Sequence, residues 1–197
     1  MSRFYADGMS SMTHPGNGSP RERIRPLLHT RQVREYTHEP LAPDLLDAIV
    51  DAARWSGSSQ NEQPWRFIVI RDEAALRRLA EAGQPQTRPL NSATSAVAIV
   101  LPDEKGRAIS RAYDEGRAAE RMLVAASMLG VAAGISWVLP GVVQSVRDIL
   151  GVPADHIVRT IVALGHPTDA ALRPKSAAGQ ARLPRQQVVF EERWQNR

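Results

Sequence analysis

The feature that most constrains this chain is a polar segment, Ser56–Trp65, between a predicted helix and a predicted strand. The helix is predicted over residues 43–55, because Pro43 and Asp44 suit a first turn and apolar residues recur behind them at helical spacing. An apolar run predicts the strand over residues 65–71. A plain connector needs only a glycine and one polar residue, whereas this segment carries hydroxyls, carboxamides and an acid. The pattern predicts a loop that grips a polar, roughly planar ligand.

Helices and strands alternate along the rest of the chain without an internal repeat. Apolar spacing predicts further helices at residues 22–29, 73–82, 113–129 and 141–150. Apolar runs predict two more strands, at residues 96–101 and 157–164, the first of them buried on both faces. The tail over residues 182–190 is predicted to be extended. At 197 residues this organisation fits a single domain, residues 23–197, behind a flexible lead-in, residues 1–22.

Composition limits the classes of site and compartment. The chain has no cysteine, which excludes disulfides, thiolate metal ligands and a cysteine nucleophile. No apolar run approaches the roughly 20 residues that a membrane span needs, so we expect no membrane association. Because the chain lacks cysteine, we expect a reducing, cytoplasmic location. The net charge is +4, yet the arginines alternate with acids and form no dense basic run. We therefore expect no nucleic-acid partner.

A second candidate binding element is Arg31–Arg34, in a segment that reads as extended. Side chains alternate along such a segment, so Arg31 and Val33 face one way and Gln32 and Arg34 the other. A guanidinium suits a phosphate, and an amide suits a polyol or the edge of a ring. A pair of surface arginines is the alternative interpretation, as a capped turn is for Ser58–Asn61.

Other chemistries find no support in the spacing of residues. The sequence contains no glycine-rich dinucleotide or phosphate loop and no nucleophile elbow. The five histidines are isolated, and no metal site is predicted. By ordinary expectation His166 is a turn residue, Trp137 a core residue and Glu62 an exposed loop charge. The alternatives are an acid or base for His166, a ring-stacking wall for Trp137 and an active-site acid for Glu62.

With both motifs considered, the chain resembles the nitroreductase-like family of FMN-dependent oxidoreductases. Thr30–Tyr36 is similar to the family's opening Arg-Arg-Ser-x-Arg-x-Phe/Tyr, and Ser56–Trp65 to its Ala-Pro-Ser-Ser-x-Asn-x-Gln-Pro-Trp. Thr30, Gln32 and Gly57 depart from these patterns. Later elements follow in family order, namely the central helix from Asp114 to Leu129, the turn Gly134–Trp137, Leu164–Pro167 and Arg182–Pro184. The resemblance covers about residues 24–194.

The resemblance implies an α+β fold with a central, mainly antiparallel sheet flanked by helices, in an intertwined homodimer with flavin sites at the subunit interface. It implies that Arg31, Gln32 and Arg34 hold the phosphate and ribityl chain, with Arg182 as a second phosphate contact. Gly57, Ser58, Ser59 and Asn61 would approach the flavin ring from the partner subunit. Gln84 would be a further ribityl or ring contact. Trp137, Val138 and Leu139 would run beside the ring, with the Leu139 N–H donating to N5.

The implied function is an FMN-dependent oxidoreductase that passes hydride from NAD(P)H through flavin N5 to an electron-poor acceptor in ping-pong fashion. Nitroaromatics, quinones and activated alkenes are such acceptors. No catalytic side chain is implied, because the cofactor performs the chemistry. The alternatives are a same-fold dehydrogenase or dehalogenase of a dedicated metabolite and a flavin-sequestering protein without turnover. NADH and NADPH, and FMN and a deazaflavin, remain open choices.

Overall fold

A computed structural model describes residues 18–177 and 179–194 of the chain. The chain divides into two compact units. The first ends at Thr30 and holds the short helices α1 (Pro20–Arg23) and α2 (Arg25–His29). The prediction of one continuous helix over residues 22–29 is wrong, because Pro26 has no N–H with which to continue it. Residues 1–17 of the predicted lead-in lie outside the described residues.

The second unit, from Arg31 onward, is built around one four-stranded sheet. Its strands are β1 (Arg66–Ile70), β2 (Ser95–Pro102), β3 (Ala132–Trp137) and β4 (His156–Gly165). Their order in space is β1-β2-β4-β3, and every neighbouring pair is antiparallel. The prediction of a central, mainly antiparallel sheet is confirmed.

Besides four short 3-10 helices, six α-helices belong to this unit in the described part of the chain. They are α3 (Pro43–Arg54), α4 (Glu73–Ala82), α5 (Ala108–Met128), α6 (Val143–Leu150), α7 (Asp169–Leu172) and α8 (Arg185–Val188). The longest, α5, starts before the predicted Tyr113 because Ala108–Ala112 continue its helical path without a glycine or proline. The extended tail prediction is wrong at α8, a single turn too short for apolar periodicity to reveal. None of the described helices is long and apolar enough to cross a membrane.

The sheet is packed on both faces. Helices α3 and α5 cover one face, where Ile49 and Met122 are fully buried. Helices α4 and α6 cover the other, where Leu79 and Val146 are fully buried. Strand β2 alternates between the two cores, so its predicted burial on both faces is confirmed.

One irregularity in the sheet affects β4. The register places Ile99 opposite Thr160 and Val100 opposite Val158, which leaves Arg159 without a partner on β2. Such an extra residue is a β-bulge, and a bulge redirects the side chain that it carries.

The segment Arg31–Tyr36, called here the edge segment, lies along the free edge of β3. The Val33 N–H donates to the Ala133 carbonyl at 2.9 Å, and the buried Tyr36 hydroxyl lies 2.6 Å from the Val33 carbonyl oxygen. Burial raises the pKa of Tyr36, so this hydroxyl stays protonated and can donate. A Cβ at Gly134 would collide with the Val33 carbonyl oxygen and lie 3.1 Å from the Tyr36 hydroxyl. The close approach therefore requires glycine at this position.

Antiparallel pairing brings several chain segments to one end of the sheet. Strand β1 starts there and β2 ends there, since Arg66 pairs with Val100, and β3 ends there as well, since Trp137 pairs with Thr160. This end, called here the site end, thus gathers the loop before β1, Asp103 after β2 and the residues after Trp137.

Candidate active site

The loop before β1 has an unusual backbone. Gln60, Asn61 and Gln63 all have positive φ angles, of 52°, 56° and 51°, in the left-handed region that costs non-glycine residues energy. The Ser58 hydroxyl accepts the Gln63 N–H at 2.9 Å, and this bond holds the turn closed. Strain kept in a loop by dedicated hydrogen bonds is typical of a binding site.

Helix α5 fastens this loop to the body of the protein. The Asp114 Oδ1 accepts the Ser59 N–H at 3.0 Å. Arg111, whose side chain is 5% exposed, donates to the Glu62 carboxylate at 2.8 Å, and Arg107 pairs with the same carboxylate. These hydrogen bonds lower the pKa of Glu62. Glu62 is an exposed loop residue, as predicted, but its carboxylate is tied to two arginines.

The polar side chains of the edge segment differ in the groups to which they are hydrogen-bonded. Arg31 donates to the carbonyl oxygens at the end of α7, those of Ala171 at 3.1 Å, of Arg173 at 3.3 Å and of Leu172. The Gln32 Oε1 accepts the main-chain N–H of Ile135 at 3.2 Å. Arg34 donates only to Gln32, at 3.4 Å, among the residues that the structure describes. Arg34 thus keeps most of its donors for a ligand, whereas Arg31 is largely committed to the protein.

The edge of β3 carries on beyond its last paired residue. Val138 donates to the Arg159 carbonyl on β4 at 2.8 Å, so the next amide along the extended chain, that of Leu139, points away from β4. The Ile135 amide, bonded by Gln32, points to the same edge. The Leu139 N–H has no acceptor within residues 18–177 and 179–194. An amide donor is therefore available on the edge that Gln32 and Arg34 occupy.

The neighbouring side chains differ in exposure. Trp137 is 58% exposed, and the interpretation of this residue as part of the core is wrong. Val138 is buried against α6 and offers its main chain alone. His166 lies in the turn after β4, where its carbonyl oxygen accepts the Thr37 N–H at 2.8 Å. His166 thus lies between β4 and the isolated bridge of Pro167 with Tyr36, in a segment with no assigned turn.

Three other predicted site residues lie outside the helices and strands. Gln84 is exposed just beyond α4 and precedes Pro85 through a cis peptide bond. The exposed Arg182 donates to the adjacent Ala181 carbonyl at 2.8 Å. The Gly57 carbonyl accepts from Arg117 of α5 at 3.4 Å. Gly57–Asn61 precede β1 and Arg31–Arg34 lie along β3, and these are the two opposite edge strands of the sheet, so a single chain holds the two groups apart.

Two buried acids on α5 were not predicted as site residues. The Asp114 side chain holds the loop, and the Glu115 side chain faces Thr160 beside the β4 bulge. Burial raises the pKa of Glu115. The Asp114 Oδ2 and Glu115 Oε1 atoms are buried without a hydrogen-bond partner among the described residues. The sequence signal for Asp114 is its four-residue spacing from Ala118 and Met122, which places this acid on the buried face of the helix.

A cluster of charges at the site end was also not predicted. Asp103 lies between two arginines, 3.2 Å from Arg147 Nη2 and 3.8 Å from Arg159 Nη2. No group of three His, Asp or Glu side chains in the described chain is arranged to hold a metal ion.

Comparison with known proteins agrees with this architecture. The sequence model described as the Nitroreductase family matches residues 27–93. A protein of Archaeoglobus fulgidus, provisionally named an NADH dehydrogenase/NAD(P)H nitroreductase, is 31% identical over 159 residues, or 75% of this chain and 87% of that protein. The FMN reductase [NAD(P)H] of Bacillus subtilis is 26% identical over 193 residues, with coverage of 89% and 75%.

The fold has solved counterparts as well. A crystal structure from Parabacteroides distasonis, of another protein provisionally named an NADH dehydrogenase/NAD(P)H nitroreductase, superposes with a TM-score of 0.74 at 23% identity. The match covers 88% of this chain and 99% of that one. This likeness establishes the nitroreductase fold. Together with the 31% identity to the Archaeoglobus protein over most of its length, it shows that the chain belongs to the nitroreductase family.

Proposed function

We propose that the chain binds FMN along the free edge of β3 and acts as an NAD(P)H-dependent flavin oxidoreductase. Membership of the nitroreductase family carries the enzyme class. The observation that carries the position of the site is the free Leu139 amide, on the same edge as Gln32 and Arg34. A main-chain donor without a protein acceptor, on the edge that also carries Gln32 and Arg34, supports a ligand that accepts from it.

The residues along this edge fit the parts of FMN in order. Arg34, with its free guanidinium donors, would bind the phosphate together with Arg182. The Gln32 Oε1 is occupied by Ile135, but its NH₂ group can donate to the ribityl hydroxyls. The Leu139 amide would donate to the flavin N5, and Trp137 and Gln84 would flank the cofactor. Arg31 would act mainly by holding α7 in place.

When bound, the flavin supplies hydride exchange, and the protein supplies binding, orientation and electrostatics. The Leu139 amide is held by the strand before it and Pro140 after it, so it needs little reorganisation. The site end leaves Trp137 open to solvent, which suits successive binding of NAD(P)H and an electron-poor acceptor over the same face. Nitroaromatics, quinones and activated alkenes are the acceptor classes that we propose.

The second half of the site would come from another copy of the chain. Gly57–Asn61 are fastened to α5, whose exposed surface carries the large apolar residues Ile109, Tyr113 and Met128. A cleft of about 630 Å³ lies between Gly57 and this surface of α5. Exposed apolar surface beside a concavity favours a symmetric protein contact. We therefore propose a homodimer in which the loop of one subunit faces the flavin held by the other.

The test is to purify the protein, identify any bound small molecule by mass spectrometry, and mix the complex with NADH or NADPH without oxygen. We expect FMN, rapid bleaching of its absorption near the visible maximum, and reoxidation by an added quinone or nitroaromatic. Bound flavin that is not bleached by either nucleotide would instead indicate a flavin-sequestering protein. A protein that neither carries nor takes up flavin would refute the proposal, and a monomer that retains flavin would refute the shared site.

A further inference from the structure

A cavity of about 490 Å³ opens at the site end of the sheet, next to the segment that we propose for the flavin ring. Trp137, Pro140 and Ile157 give it apolar walls, and Asp103, Arg147 and Arg159 give it charge. Its volume lies in the range of small-molecule sites. Because Trp137 is 58% exposed, a flat ring could lie against the indole.

The two arginines of the cavity differ in their freedom. Arg147 is 14% exposed, and it donates to the His156 carbonyl at 2.7 Å and to Asp103 at 3.2 Å. Its donors are thus largely used by the protein. Arg159 is 35% exposed, and its one described ion pair is the longer 3.8 Å approach to Asp103. Within residues 18–177 and 179–194 its guanidinium makes no hydrogen bond that would compete with a ligand.

The position of Arg159 is fixed by the fold and not by its side chain. It is the bulged residue of β4, and its carbonyl oxygen accepts the Val138 N–H at 2.8 Å, one residue before Leu139. One carboxylate, Asp103, is shared by two guanidinium groups, so the cavity walls carry one excess positive charge. Glu115 of α5 also interacts with Arg159, but it is not among the residues that line the cavity.

We propose that Arg159 selects acceptors that carry an acidic group on an aromatic ring, with the ring against Trp137 and the carboxylate paired to the guanidinium. This inference rests on the proposed function, because it assigns the specificity of that same site. A charge-assisted hydrogen bond in a partly enclosed cavity strengthens binding of the anionic ligand over a neutral ligand of the same shape.

Equilibrium binding tests this inference without turnover. The purified flavoprotein is titrated with benzoate and with benzamide, which match in shape and differ in charge, while tryptophan fluorescence or calorimetry reports the two Kd values. We expect benzoate to be preferred, and R159Q to reduce that preference by on the order of 10-fold. R159K, which keeps the charge, should retain part of it. The matched control is R78Q, which removes an exposed arginine on α4.

Measurements of turnover distinguish a failure of this inference from a failure of the proposed function. With NAD(P)H as donor, the ratio of kcat/KM for 4-nitrobenzoate to that for 4-nitrobenzamide should fall in R159Q and hold in R78Q. No reduction of either compound would count against the proposed function, while the binding preference would still report on Arg159. Equal binding of benzoate and benzamide by the parent protein, or an R159Q variant with the parent's preference, would overturn the inference.

Discussion

The main-chain N–H of Ser59 donates to the buried Asp114 carboxylate at 3.0 Å, so one α5 side chain sets the position of the candidate ring-facing loop. D114A should release that amide, and we expect its hydrogen exchange to accelerate and flavin affinity to fall by roughly 10-fold. D114N keeps an acceptor and should lie between D114A and the parent. D51A, which removes an exposed acid on α3, is the control. A Ser59 amide equally protected in D114A would contradict the prediction.

Substitution of Arg34 should weaken FMN binding, whereas substitution of Arg31 should lower the stability of the fold. R34A should weaken FMN binding by about 1.5–3 kcal/mol, the scale of a charged hydrogen bond, with little change in unfolding free energy. R182A should weaken it similarly. R31A should instead destabilise the fold by about 1–3 kcal/mol, because it leaves carbonyl oxygens at the end of α7 without their donor. Flavin titration and urea unfolding of the three variants would check this, and R34A binding FMN like the parent would disprove it.

Leu139 allows a clean removal of one main-chain donor. Its φ is −69°, close to the value that proline imposes, and its N–H bonds to no described residue. L139P should therefore fold, keep flavin through the arginines, and show slower reduction by NAD(P)H or a lower flavin potential. L139A retains the amide and serves as the control. If L139P and L139A have the same potential and the same reduction rate, residue 139 is not the N5 donor.

Gly134 should tolerate no side chain. G134A places a methyl group against the Val33 carbonyl oxygen and the Tyr36 hydroxyl, and it should cost about 1–3 kcal/mol of stability and displace the edge segment. Gly106 has no atom within 4 Å of a built Cβ, so G106A should leave the melting temperature nearly unchanged. Melting curves and flavin titration of both variants test the contrast. A G134A protein as stable as G106A would show that the edge segment is free to move.

Glu115 should impose a pH dependence on stability. Burial raises its pKa in the folded state above the ordinary 4.5, so the folded protein holds a proton that the unfolded chain loses first. The contribution of Glu115 to stability should therefore fall as pH rises from about 4.5 through the raised value. E115Q removes this titration, so its free energy of unfolding should rise relative to that of the parent as the pH increases over that interval. Unfolding free energies of both proteins between pH 4 and pH 8 test this, and a difference that stays constant with pH would rule it out.

The sequence predicts the elements whose apolar pattern is local. The bounds of α4 match the prediction, and β2 shows the expected burial on both faces. Pairings between distant residues leave no such pattern. Arg107 lies 45 positions from Glu62, and nothing in the spacing of either residue indicates their ion pair. The same limit hid the bulge at Arg159, since a bulge is defined by a partner strand and not by its own sequence.

Asp114 and Glu115 are neighbours in sequence, yet they serve different parts of the fold. Successive residues on a helix point about 100° apart, so one reaches the loop at Ser59 and the other reaches Thr160 beside the bulge. A single turn of α5 thereby fixes the relative placement of two segments that are distant in the chain, the loop that we propose faces the partner subunit's flavin and the bulge that we propose lies beside the flavin of its own subunit. Substitutions in the loop and at the bulge should then be non-additive, and a loop grafted from a relative would have to bring its own pair of residues at positions 114 and 115.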